Sequence, residues 1–113
     1  MIENRKMSLD FSLMRVQETD VFSSNITHNL GKMAEEAGIY MALWRPEEIP
    51  ATKAEELIPI LEKGLADLKA RPEHYEKFNA ENGWGLYKHF VPFVEEVLGA
   101  CREYPDARPD ADR

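Results

Sequence analysis

Apolar and polar residues alternate from Ser8 to Val16, with Leu9, Phe11 and Leu13 on one side and Asp10 and Ser12 on the other. A period of two predicts a strand with one buried face. No later segment alternates as well, so the partner of this strand is left open between the C-terminal segment, the same strand of another subunit across an interface, and none. Gln17 to Ser24 reads as a polar connection, with Val21 and Phe22 placed to staple onto a following helix. From Asn25 the period changes to 3.6: Ile26, Leu30, Met33, Ala34 and Ala37 share an arc, Asn25 is the expected N-cap, and Gly38 stands where a left-handed stop is cheapest. Asn29 falls at the border of that arc. Ile39 to Arg45 is too apolar for a free loop and predicts a second, short helix ending at Trp44, because Pro46 biases Arg45 away from helical geometry.

Thr52-Lys53-Ala54-Glu55 has the form of a capping box, opening a helix that carries Ala54, Leu57, Ile58, Leu61, Leu65 and Leu68 on one face and runs to about Ala70, with Pro72 closing it. Ile60 lies off that face. Pro59 lies inside the pattern, opposite the leucines, and predicts a bend around the core. Pro92 repeats the situation in a last helix, whose apolar arc runs from Leu86 to Cys101. Between these helices Glu73 to Phe78 predicts a turn or two of helix, and Asn82-Gly83 marks a tight turn. The expected fold is mainly α (α+β), with about three principal helices and an N-terminal β-strand. Residues 1–7 are expected to be a mobile leader, 8–103 a single globular domain, and 104–113, rich in Pro, Asp and Arg, an extended or disordered tail.

The 113 residues suffice for one core and leave no room for a second. A net charge of −7, with 14 Lys and Arg scattered along the chain, argues against binding a nucleic-acid backbone but leaves room for a pocket holding one or two phosphates. The single cysteine excludes an internal disulfide, and no apolar run is long enough to span a bilayer. A reducing cytoplasm is the simplest compartment. No membrane partner and no cofactor are expected.

Three polar-aromatic clusters carry the candidate chemistry: Asn25, Thr27, His28 and Asn29; Tyr40, Trp44 and Arg45; and Asn82, Trp84 and Tyr87. Rings offer stacking surfaces for a base, amides and hydroxyls offer hydrogen bonds, and arginine pairs with phosphate or carboxylate. The competing reading makes Tyr40, Trp44, Trp84 and Tyr87 core aromatics, Asn25 a cap and Asn82 a turn residue. His28, His74 and His89 have no metal-ligand spacing, so no metal site is expected, and Cys101 on an apolar arc is expected to be inert. Catalytic signatures are missing: there is no phosphate-binding glycine loop and no nucleophile elbow.

The motifs Asn25 to Leu30 (NITHNL), Ala37 to Tyr40 (AGIY), Leu43 to Glu48 (LWRPEE), Asn82 to Gly85 (NGWG) and Glu103 to Ala107 (EYPDA) resemble a group of small proteins encoded by tailed bacteriophages and prophages. The resemblance covers most of the chain after Met7 and implies a bacterial host cytoplasm. It carries no activity, and in related sequences the segment after Pro105 is more strand-like than Pro109 and three Asp suggest here. In that context the chain is expected to be a homo-oligomeric binding protein, not an enzyme. It would capture a nucleotide-like ligand, such as a host defence signal, through Asn25, Thr27, His28, Asn29, Tyr40, Trp44, Arg45, Asn82 and Trp84. The alternative is an interaction module that inhibits a host protein through an acidic surface including Glu47, Glu48, Glu55 and Glu56.

Overall fold

The computed structural model describes residues 8–15 and 19–113. The expected leader, 1–7, lies outside the described residues. Three strands, β1 (Ser8–Arg15), β2 (Thr19–Thr27) and β3 (Arg108–Asp112), form an antiparallel sheet in the order β2-β1-β3. The expectation of a mainly α chain with one N-terminal strand is therefore corrected to an α+β fold in which β1 is the central strand. Both of its partners lie in the same chain, so the strand supplies no argument for an oligomer.

Register explains which face is buried. Leu9, Phe11 and Leu13 pair with Ile26, Ser24 and Phe22 on one side, and Phe11 and Leu13 pair with Ala111 and Pro109 on the other. Directly opposed residues point to the same face, so these positions form the inner layer, in which Leu9, Phe11 and Leu13 are fully buried. Ser8, Asp10, Ser12, Asn25, Thr27, Asp110 and Asp112 belong to the other face.

The helices cover the inner face. A 3-10 turn (His28–Leu30) leads into α1 (Gly31–Glu36), followed by α2 (Tyr40–Trp44), α3 (Ile58–Ala70), α4 (Pro72–Glu76) and α5 (Tyr87–Glu103). The buried residues of the first helical segment are Leu30, Met33 and Ala34, and Gly38 takes φ of +77° at its end. Asn25 does not cap it. The strand runs on to Thr27, whose backbone is extended and whose hydroxyl accepts from the Asn29 N–H at 3.3 Å. The second cap also falls later than the spacing suggests, by one residue, with Lys53 and Glu56 in place of Thr52 and Glu55: Glu56 Oε1 accepts from the N–H groups of Thr52 and Lys53 and from the Thr52 hydroxyl. These backbone hydrogen bonds hold its carboxyl below the usual range.

Pro59 does not break a helix. Ala54–Leu57 is a 3-10 turn, and α3 begins at Ile58, so the proline occupies the first helical turn, where its missing N–H costs nothing. Pro92 is inside α5 on the solvent side, opposite buried Phe90, Phe93, Val94, Val97 and Cys101. Leu57, Leu61 and Leu68 of the preceding segment meet this face, and Ile60 is only partly covered. Among the described residues no helix is long and apolar enough to cross a membrane.

Candidate functional site

The nine expected site residues are divided between two clefts on either side of the turn at residues 28–31. The first cleft, of about 390 Å³, gathers His28, Tyr40, Trp44 and Arg45 together with Gly31, Lys32, Glu35 and Arg113. Its floor is a polar lock between core and rim. The Trp44 ring is 2% exposed, its Nε1–H donates to His28 Nδ1 at 2.8 Å, and Tyr40 stacks on it with centroids 5.3 Å apart and planes 10° from parallel. A neutral imidazole accepting at Nδ1 carries its proton on Nε2. A general-base role at Nδ1 would first have to break the bond to the indole.

Cations rim this cleft. Arg113 Nη1 donates to the Trp44 carbonyl at 2.7 Å and lies 2.8 Å from Glu47 Oε2, while Arg45 Nη1 pairs with Glu48 at 2.7 Å. The Tyr40 side chain, and then Glu48, raise the pKa of the Arg45 guanidinium further above its ordinary value. Desolvation works against the charge on Glu47, yet its own backbone N–H and Arg113 outweigh it and hold the carboxyl below the usual range. Lys32 is exposed on the same rim.

The second cleft, of about 600 Å³, is lined by Ser8, Asn25, Thr27, Asn29, Asn82 and Trp84. Trp84 is not a core residue: it is 70% exposed. Its backbone is clamped at both polar groups, the N–H donating to Asn82 Oδ1 at 2.9 Å and the carbonyl accepting from Asn29 Nδ2 at 2.6 Å. Gly85, at φ +118°, makes the approach possible, since a Cβ there would stand 2.8 Å from the Cβ of Asn29. Asn25 lies on the outer face of β2 and donates to Ser8 Oγ at 2.9 Å and Asp10 Oδ1 at 2.8 Å. Tyr87 faces neither cleft: its hydroxyl donates to the Leu68 carbonyl at 2.7 Å, so it ties α5 to α3.

Lys32, Arg113 and Ser8 are the residues that sequence reasoning missed. Lys32 had been assigned to the polar side of its helix without a neighbour to give it meaning. Arg113 was placed in a tail outside the domain, and only the pairing of β3 with β1 brings it to Trp44. Among the described residues no three His, Cys, Asp or Glu side chains stand together in a way that could hold a metal ion. Cys101 is buried in α5, and burial pushes its thiol up to about 12, so little thiolate is present near neutral pH. Comparison of the chain with family models, curated proteins and solved structures returns no match.

Proposed function

We propose that the protein binds a small anionic, nucleotide-like molecule in the cleft walled by Tyr40 and rimmed by Lys32, Arg45 and Arg113. The observation that carries this reading is the convergence of Lys32, Arg45 and Arg113 onto one half-buried aromatic ring; among the described residues Glu35 also lines the cleft, and the two arginines are paired at its edge with Glu48 and Glu47, so a bound anion would share those guanidinium groups with the carboxylates. The ring stacked on Trp44 presents its outer face as a platform for a base, and guanidinium and ammonium groups match phosphate oxygens. His28 and Trp44 set the position of that platform and are not themselves stacking surfaces. In the context of the phage-type resemblance, such capture would withdraw a signalling nucleotide within a bacterial cytoplasm, without turnover.

The acidic-surface alternative has less support. Glu47 and Glu48 are paired with Arg113 and Arg45, and Glu56 caps a helix, so three of its four carboxylates already have partners in the chain.

Isothermal titration of the intact protein with ADP tests the proposal. ADP is expected to bind, and Lys32→Ala, an exposed change away from the core, is expected to weaken binding about tenfold or more, as loss of one charge-assisted contact does. No heat with ADP, or equal affinity for wild type and Lys32→Ala, would overturn it.

A further inference from the structure

The two clefts are not separate. Between them lies a third groove of about 430 Å³, lined by Asn29, Lys32, Phe78, Ala80, Glu81 and Asn82. It shares Lys32 with the cationic cleft and Asn29 and Asn82 with the Trp84 cleft. Asn29 and Lys32 are one helical turn apart, so the three depressions follow one another along the same surface. Their chemistry, among the described residues, changes in order: a tyrosine face with three cations, then a groove with one lysine and one glutamate, then a cleft lined by amides, hydroxyls and an indole.

On this basis we propose that the ligand is an extended molecule with a ring at each end and a diphosphate-like anion between them, its terminal neutral sugar resting on Trp84. The proposal builds on the reading of the cationic cleft given above. The amide and hydroxyl lining of the described residues at this end suits a hydroxyl-bearing ring. A π face is negative and attracts the weakly positive C–H face of a sugar. The amides around it have direction. Asn25 and Asn29 spend their NH₂ groups on Ser8, Asp10 and the Trp84 carbonyl, which leaves their Oδ1 atoms to accept from hydroxyls. Asn82 spends its Oδ1 on the Trp84 N–H and keeps its NH₂ to donate. Two acceptors and one donor around an aromatic platform are what a vicinal diol can satisfy as both donor and acceptor. Because the indole is held only through backbone bonds, the ring itself stays open to contact.

The test compares ADP with ADP-ribose as probes, using titration calorimetry on wild type, Trp84→Ala and Lys32→Ala. Wild type is expected to bind ADP-ribose at least about tenfold more tightly than ADP, the effect of one good stacking contact. Trp84→Ala is expected to erase that difference while leaving ADP affinity unchanged, and Lys32→Ala to weaken both. Equal affinities in wild type, or a Trp84→Ala change that lowers ADP and ADP-ribose alike, would overturn the sugar site while the cationic cleft stands. Failure of both probes to bind would overturn the cleft reading itself. Trp84→Tyr, which keeps an aromatic face, should retain part of the ADP-ribose advantage; complete loss there would show that stacking is not what Trp84 supplies.

Discussion

Trp44 and Trp84 border clefts on opposite sides of the same helical turn, yet one ring is 2% exposed and the other 70%. Trp44 is held by its side chain, through the indole N–H on His28 and the stacked Tyr40. Trp84 is held by its main chain, through Asn82 and Asn29, and its ring is left to solvent. The difference teaches that an aromatic residue near a cleft can serve as foundation or as surface. Which of the two it is depends on which of its atoms the fold has claimed.

The largest expected contrast is in stability. Trp44→Ala removes a buried ring and should cost about 3–5 kcal/mol, whereas Trp84→Ala should stay within about 0.5 kcal/mol of wild type; urea denaturation of the two variants measures both. Comparable losses would dissolve the distinction. A change at the backbone clamp comes next. Gly85→Val meets both a positive φ and the close Asn29 Cβ, and should cost about 1–3 kcal/mol and detach the Trp84 loop. Wild-type thermal stability in that variant would show the clamp to be dispensable. Trp44→Phe keeps an aromatic ring but deletes both the donor to His28 and part of the buried indole, for a loss of about 1–3 kcal/mol; a neutral result would mean the Trp44–His28 bond contributes nothing.

The smallest effect concerns acid. Glu47 has its folded-state pKa depressed, so its contribution to stability is present above the ordinary carboxylate value and is lost as pH falls through the lower folded value. Below about pH 4 the Glu47 hold on Arg113 should therefore weaken, loosening the Trp44 side alone, because the Trp84 clamp uses only amides. The two indole N–H resonances, followed by NMR from pH 6 to 3, should part company, with Trp44 shifting and Trp84 steady. Parallel shifts would contradict the comparison.

Much of this was legible in the sequence. The alternation of Leu9, Phe11 and Leu13 identified β1, and the heptad-like leucines identified the helix ending at Ala70. β2 escaped notice because the pairing slips between Leu13 and Met14, which places Val21 and Phe22 side by side in sequence and breaks the alternation. Its inner face also carries a polar residue, Ser24, whose hydroxyl donates to Glu96 of α5 at 2.6 Å. β3 has only Pro109 and Ala111 to offer the core, and a proline is tolerated there because the strand lies at the sheet's edge. Residue types alone grouped the candidate site residues, and their division into two clefts depended on long-range pairing that no local period encodes. Asn25 looked like a cap because the strand before it was invisible.

The pairing of Phe11 with Ala111 has a kinetic consequence. Such a contact closes a loop of nearly the whole chain, and contacts of that separation are the slowest to form. The β1–β2 hairpin and the helices can assemble earlier from nearer neighbours, so Arg113 is expected to reach Trp44 late in folding. In the finished molecule the same short edge strand is a natural place for local opening, and each opening would withdraw Arg113 from the rim. An anion seated there, as proposed, would act as a latch: it would slow exchange of the β3 amides, and its own escape would be paced by how often that strand lets go.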